Sequence, residues 1–563
     1  MVVVSRRMVC LLLVVLALLS IAVRYPLVEH ERNQTDSYSM HNMSQSIVDY
    51  GRAKWVFSSL SLIGYYPFSY PSGVPFLLAE VSSLTGLSVE VTILLVNFIL
   101  GILFALGVFV LAQYFLRRQE LVLLATFLSV LGSRFVDTSY WCGSARSLVV
   151  VLMILFVFTL LRTSRGGLNR LLPVAVLFGF GSLASHHMAV LLILFGVAYT
   201  ISAGQIHFLY PRLRLHKRRA AAVCNGLIGA TIAVVVFGNQ NYYNTLGFGG
   251  HEATSFFHSD PPLLSVIVNL SASYTNQIGF VLLFAVFGIP GLLRRSRLSM
   301  ETLFPLVLLL AFIPVLASTL YVSMLLAPFV AILGVGATSR MFTSTKKKGF
   351  AVLVVAVLMV SSIALPIWSV HRWNEREYRS GETVETNNQL FNDAFYLREN
   401  AAGASAITNV YVLRPQLAAL GHIRFLGSSM FAPLSGDIRP ENVTYGDITP
   451  SEEDFPMNLI NLLNLKESPP SFDSYISQLM RSGVNNLGPF PLAEGYFSSH
   501  SRLLVAVDNT RPNQYVDSYY DSPAPFLTDI RNVTSWSGGN QEFSSYTMYQ
   551  SEGMTLYLVQ LPY

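Results

Sequence analysis

The chain has 563 residues, of which 52% are hydrophobic and only 12% charged. A soluble chain carries about twice that share of charge, so a soluble globular fold is excluded and the composition is that of a polytopic membrane protein. The net charge of +5 is small and gives no reason to expect a nucleic-acid partner, and the three cysteines, Cys10, Cys142 and Cys224, suggest neither a disulfide framework nor a cysteine metal site.

Apolar runs long enough to cross a bilayer centre on residues 8–28, 90–116, 119–133, 147–162, 171–185, 188–203, 220–238, 277–293, 302–318, 323–339 and 349–370. They predict about eleven membrane spans. Arg6 and Arg7 precede the first run, and Arg117 and Arg118 follow the second. Basic clusters recur at Arg162–Arg170, Arg212–Arg219, Arg294–Arg297 and Arg340–Lys348, so every second connection is basic. The positive-inside bias puts these connections in the cytoplasm, the N-terminus inside and the C-terminus outside. N-x-S/T sequons begin at Asn33, Asn42, Asn269, Asn442 and Asn532, all in segments assigned outside, which agrees with that topology. The first run has the basic start and apolar middle of a secretory signal, but Arg24 and Pro26 leave no clear small-residue cleavage site, so it reads as a retained span.

The layout is lopsided. Three outside segments are long: 29–88, 239–276 and the tail 371–563. Residues 1–370 form the transmembrane part. In the tail, "NVYVLRPQL", "RLLVAVDN" and "MTLYLVQLPY" read as strands, and "ETNNQLFNDAFYLREN" and "PMNLINLLNLK" as helices. The expected fold is therefore a polytopic α-helical membrane protein with a C-terminal extracytoplasmic domain of mixed α/β type. No internal repeat is evident, and ionisable residues are nearly absent from the span interiors, which disfavours a transporter.

The first outside loop opens with "TDSYSMHNMSQSIVDYG" (35–51). It reads as a helix with Asp36 as N-cap and Gly51 as its stop. Tyr38, His41, Gln45 and Val48 recur at spacings of three and four, on a polar-aromatic stripe suited to an interface or cleft. "GYYPFSYPSGVPFLLAEVSSLTGL" (64–87) follows; its prolines force a turn, and Pro75 can open a second short helix along the membrane surface. From this pattern alone Asp36 reads equally as a helix cap and as a carboxylate delivered to a reaction centre. Glu29 and Glu31 are its acidic neighbours.

An Arg-ended first span, then "TDSYSMHNMSQSIVDYG" and "YPFSYPSGVPFLLA", resembles the first loop of the GT-C superfamily of membrane glycosyltransferases. It is similar to archaeal members that use dolichyl-phosphate sugars and, more distantly, to the catalytic subunit of oligosaccharyltransferase. The resemblance extends to "SRFVDTSYWCGSARS", the "SHHM" turn, the basic inner loops and the outward tail. It implies an inverting glycosyltransferase of the plasma membrane that works on the outer face. Its donor would be a polyprenyl-phosphate sugar carried by the bilayer, and its acceptor a lipid-linked glycan, a protein or a surface polymer. Asp36 occupies the position of the acceptor-side general base, with Tyr38 and His41 beside it for substrate. Asp137 matches a second acidic residue that serves metal or substrate; no cofactor is required, and a divalent cation, Mg or Mn, if one is used, would be held by Asp36 and Asp137. Arg134 and Arg146 lie outside against the positive-inside trend and suit either a phosphate or lipid headgroups. His186 and His187 stand at an outside turn, where either a polar turn or a phosphate contact is expected. His251, His258 and Asp260 belong to a Gly-rich segment over the cleft.

The chain departs from the family in three places. The WWDYG motif of the oligosaccharyltransferase branch is absent, the nearest string being "TSWSGGN" (534–540). The paired acids of the first loop are reduced to Asp36. Ser323 and Met324 stand where an arginine often precedes the "LLAPF" span. The first two favour transfer of a single sugar over transfer of an oligosaccharide to asparagine. Protein N-glycosylation is the first alternative, and a non-enzymatic transporter or envelope scaffold the second.

Overall fold

The computed structural model describes residues 5–26, 30–31, 35–51, 73–163, 168–209, 225–226, 263–293, 299–316, 319–343, 348–380, 388–401, 405–408, 413–422, 424–425, 502–508, 544–551 and 554–560. The chain divides into two compact units, Met1–Tyr25 with Leu95–Trp373 and Pro26–Leu94 with Asn374–Tyr563.

The first unit is helical. It contains α1 (Arg6–Ala22), most of α4 (Val89–Phe115), α5 (Gln119–Val130), the short α6 (Ser133–Asp137), α7 (Ala145–Arg162) and α8 (Leu168–Ser185). A 3-10 turn (His187–Leu191) leads into α9 (Leu192–Gly204). Then come α10 (Leu263–Ile278), α11 (Val281–Leu293), α12 (Met300–Ala311), α13 (Thr319–Thr343) and most of α14 (Lys348–Ser380). Of the elements described here, α13 is the hub, packing on α5, α6, α7, α10 and α11. Its interior face carries Leu325, Phe329, Ile332 and Val335, all buried.

Five described stretches are long and apolar enough to cross a membrane: Val89–Phe115, Ala145–Arg162, Met188–Phe208, Tyr321–Thr338 and Gly349–Trp368. They coincide with five of the expected runs. Gln119–Val130, Leu171–Ser185 and Met300–Val315 are apolar but shorter. A helix of that length reaches only part of the way across a hydrocarbon core of about 30 Å. Of the run 220–238 only Asn225 and Gly226 are described, with the Asn225 and Gln205 side chains bonded to each other.

The run 277–293 is not a straight span. Leu270–Ile278 and Val281–Ile289 meet at 108°, a broken span or re-entrant pair that brings the count to six. Gly279 turns the chain there with φ +100, a backbone region that side chains disfavour. The carbonyls freed at the break find a donor, because the one Ser133 hydroxyl hydrogen is shared between Asn276 O at 2.6 Å and Gln277 O at 3.0 Å. Beyond the bend, Gly288 lets α11 press against the Leu333 carbonyl of α13, where a Cβ would collide. Hydropathy shows only the apolar run. The bend comes from a glycine conformation and a distant serine.

The second unit holds α2 (Thr35–Tyr50), α3 (Gly73–Thr85) and the first turns of α4. Its tail portion has α15 (Asn388–Ala401), β1 (Ser405–Thr408), α16 (Leu413–Gly421), β2 (Arg424–Phe425), β3 (Arg502–Asp508), β4 (Ser544–Gln550) and β5 (Met554–Gln560). The strands form one sheet in the order β2-β1-β3-β5-β4. Its β2–β1–β3 half is parallel and its β3–β5–β4 half antiparallel, with a bulge between Thr547 and Tyr549. The parallel pair β1–β2 uses α16 as its crossover. Ser551 Oγ donates to Asp393 of α15 at 3.0 Å, fixing that helix beside the end of β4. Of the expected strands, "RLLVAVDN" and "MTLYLVQLPY" become β3 and β5. "NVYVLRPQL" does not: from Leu413 it is helical, with the buried Gln416, Leu417 and Ala419 on one side of α16. "PMNLINLLNLK" lies outside the described residues.

Candidate functional site

In the first unit, polar groups gather at the starts of three apolar helices. The loop 131–147 is held from several directions. Asn97 of α4 donates to Cys142 O at 2.9 Å, and Ser147 Oγ donates to Thr138 O at 2.8 Å. Thr138 Oγ1 also reaches Met324 Sδ of α13 at 3.8 Å. Arg24, which follows α1 and is fully buried, adds a further clamp. Its Nε donates to Ser139 Oγ at 2.8 Å, its Nη1 to Ser20 O and Oγ at 2.8 and 2.9 Å, and its guanidinium lies 5.0 Å from the Phe135 ring centre. Among the described residues it has no carboxylate partner, and its Nη2 makes no hydrogen bond.

This loop carries Arg134 and Asp137, one helical turn apart on α6. Arg134 Nη1 is 3.8 Å from Asp137 Oδ2, with both side chains mostly shielded from solvent. The pair keeps a buried carboxylate next to a cation, which a desolvated charge requires.

Arg146 stands at the beginning of α7, where Ser144 caps the helix by accepting from the Arg146 N–H at 3.4 Å. Its guanidinium lies 5.7 Å from the ring centre of Tyr321. His186 approaches the same ring, with centroids 6.0 Å apart. His186 caps the 3-10 turn: its Nδ1 accepts from the Met188 N–H at 2.9 Å. That bond makes Nδ1 the unprotonated nitrogen, so in neutral imidazole Nε2 carries the hydrogen. Ala145, Met188 and Tyr321 each open an apolar stretch long enough to span a membrane. No acidic residue lies in the first turn of α7, the 3-10 turn or α13. Three helical starts, an arginine and a histidine N–H therefore meet, an arrangement that attracts anions.

The second unit contains a separate polar network. Glu31 is buried, and its Oε1 lies 3.0 Å from Nδ1 of the buried His41. The Glu31 N–H donates to Glu90 Oε1 at 3.0 Å, and the same oxygen lies 3.3 Å from His30 Nδ1. His30 stacks on Phe391 of α15, centroids 4.3 Å apart. Tyr38, with no exposed surface, donates its hydroxyl to Glu31 O at 3.4 Å. Burial pushes the Glu31 carboxyl above the usual carboxylate range, and His41 offsets only part of that shift. Burial opposes charging of His41, but the charge and hydrogen bond of Glu31 outweigh it and raise its pKa.

The predicted residues thus fall into two groups. Arg134 and Asp137 pair on α6, and Arg146 and His186 share Tyr321. Tyr38 and His41 sit in the Glu31 network. Asp36 does not precede its helix: α2 begins at Thr35, so Asp36 lies within the first turn and is not the N-cap. The side chains of Asp36 and His187 lie outside the described residues, as do Glu29 and the segment with His251, His258 and Asp260. Gly51 does end the helix, with φ +64 and its N–H bonded to Ile47 O at 2.8 Å. Among the described residues no group of three or more His, Cys, Asp or Glu side chains could hold a Mg or Mn ion, and Asp137 lies beside Arg134. Sequence reasoning missed Tyr321, Arg24 and the His30–Glu90 contact. A lone arginine after an apolar run is a signal for Arg24; a tyrosine at a span boundary gives none, because such tyrosines are common.

No family model matches the chain, and no curated protein matches it by sequence. Solved structures match it by fold. The archaeal oligosaccharyltransferase AglB from Archaeoglobus fulgidus, in complex with an inhibitory peptide and a dolichol-phosphate, superposes with a TM-score of 0.51 at 12% identity, over 98% of this chain and 74% of that one. ArnT from Cupriavidus metallidurans, bound to undecaprenyl phosphate, gives 0.53 at 11% identity over 98% of both chains. The arabinofuranosyltransferase AftD from Mycobacteria gives 0.50 at 14% identity, over the whole of this chain and 42% of that one. At such low identity the likeness establishes architecture alone: the chain shares the fold of these three proteins.

Proposed function

We propose that the protein is a membrane glycosyltransferase that moves a single sugar from a polyprenyl-phosphate donor to an acceptor on the outer face of the membrane. The observation that carries this reading is the meeting of Arg146, His186 and three acid-free helix starts at Tyr321. Such a site suits a phosphate held at the level where the spans begin. Support comes from the fold neighbours, since AglB and ArnT are seen with dolichol-phosphate and undecaprenyl phosphate.

In the proposed reaction an acceptor oxygen or nitrogen attacks the anomeric carbon. The new bond forms as the bond from that carbon to the phosphate oxygen breaks, with inversion. The electron pair leaves on the lipid phosphate. Arg146 and Arg134 stabilise that oxygen, while His186 donates from Nε2. The acceptor proton goes to Asp36, whose assignment rests on the resemblance of the first loop. No step is assigned to a metal, although the A. fulgidus enzyme has also been seen with Zn and sulfate.

The second reading, en bloc transfer to asparagine, is favoured by the likeness to AglB. The missing WWDYG string weighs against it.

The test is the release of polyprenyl phosphate by purified full-length protein. Dolichyl-phosphate glucose and dolichyl-phosphate mannose are offered with glycan and peptide acceptors, and wild type is compared with Asp36→Asn. Product with a glycan acceptor, lost in the variant, is expected. Turnover only with a sequon peptide and a lipid-linked oligosaccharide would favour the second reading.

A further inference from the structure

We infer that Tyr321 is a positioning residue for the phosphate site, a platform that fixes Arg146 and His186 together. The inference rests on the proposed lipid-phosphate donor and extends it to a residue outside the charged set. Arginine has a long side chain with much rotamer freedom, so a guanidinium at a helix start does not hold one direction by itself. Here it lies 5.7 Å from the Tyr321 ring centre, within reach of the ring's negative face. The His186 ring is tilted against the same tyrosine at 6.0 Å. His186 is also fixed from behind, because its Nδ1 accepts the Met188 N–H, which puts the hydrogen of the neutral ring on Nε2. One ring thus governs the spacing of two donors that come from helices far apart in sequence.

Tyr321 is itself registered to the site. It lies one turn before Met324 on α13, and Met324 receives the Thr138 hydroxyl from the loop that carries Arg134 and Asp137. The α13 helix therefore touches both halves of the cluster, through Met324 and through Tyr321. Ser323 and Met324 are buried beside it and carry no charge, whereas Arg146 of α7 reaches the Tyr321 ring. The ligand is a phosphate. A lipid phosphate and a free phosphate present the same chemistry, and the test separates them.

The experiment measures binding of undecaprenyl phosphate to purified full-length protein in detergent by native mass spectrometry. Inorganic phosphate and phosphatidylglycerol serve as competitors. Tyr321→Leu removes the ring, and Tyr321→Phe keeps it. The expected result is roughly five- to tenfold weaker binding for Tyr321→Leu and near wild-type binding for Tyr321→Phe, the size of one partly buried cation–π contact. Melting temperatures of both variants should match wild type, which separates a site defect from a folding defect. Displacement by inorganic phosphate but not by phosphatidylglycerol identifies the phosphate group itself as the ligand; displacement by phosphatidylglycerol alone overturns the inference by marking a headgroup surface. If wild type binds and Tyr321→Leu binds equally well, the platform role is wrong while the donor reading stands. If wild type does not bind undecaprenyl phosphate, the donor reading fails and the platform role with it.

Discussion

His41 Nδ1 lies 3.0 Å from Glu31 Oε1, and both side chains are buried. The two residues lie on either side of Asp36 in the chain. Each group holds its proton more tightly in the folded chain than in the unfolded one. The folded state then binds more protons between the ordinary and the raised values, and stability falls as pH rises. The loss starts above the ordinary carboxylate value of 4.5 and is complete only once pH has passed both raised values, of which that of His41 lies above 6.5. A melting series from acid to mildly alkaline pH should therefore slope downward. Glu31→Gln keeps a hydrogen-bonding group without the charge and should flatten it; an unchanged slope in that variant would remove the pair from the account.

Gly101 of α4 faces the Arg24 clamp. A Cβ there would lie 2.7 Å from Ser20 Oγ and 3.1 Å from Arg24 Nε. Gly101→Ala should displace the guanidinium from Ser139, loosen the loop that presents Arg134 and Asp137, and cost about 1–3 kcal/mol, the usual range for overpacking. Thermal unfolding in detergent measures the loss.

His186 has two separable duties, as cap and as donor. Asparagine at that position can still accept the Met188 N–H but cannot reproduce the imidazole Nε2–H. His186→Asn should keep wild-type stability and weaken undecaprenyl phosphate binding. His186→Ala should lose both, with about 1 kcal/mol of stability going with the cap. Equal binding by His186→Asn and wild type would leave the residue a cap only.

Asn42 opens a sequon, yet it lies in the middle of α2 and is 8% exposed. Sequon acceptors are surface loop residues. Peptide mass spectrometry of the native protein should find Asn42 unmodified.

What the sequence made legible follows from the range of each signal. Apolar length is a local property, so the stretches opening at Val89, Ala145, Met188, Tyr321 and Gly349 could be read directly. Charges at span ends are local too, and Arg134, Asp137, Arg146 and His186 stood out by type and place. The bend at Gly279 could not be read, because it depends on Ser133 arriving from another helix to share its hydroxyl hydrogen between two carbonyls. Tyr321 was invisible for a similar reason: its role exists only once α7, the turn at His186 and α13 meet. In the first loop, the stripe of Tyr38 and His41 was legible as a face, but its partner Glu31 lies across a stretch with no periodicity. The cap reading of Asp36 failed by two positions, since helix starts are the least certain part of any such pattern.

The central claim is that this fold transfers a sugar with Asp36 as base, and its most direct test is made in cells. Lipid-linked and surface glycans from a deletion strain are compared by mass spectrometry after rescue with wild type or Asp36→Asn. The account predicts that one sugar is missing in the deletion, restored by wild type and still missing with Asp36→Asn, the loss expected when a general base worth about 10²–10⁴ in rate is removed. Full restoration by Asp36→Asn, or an unchanged glycan profile in the deletion, would contradict it.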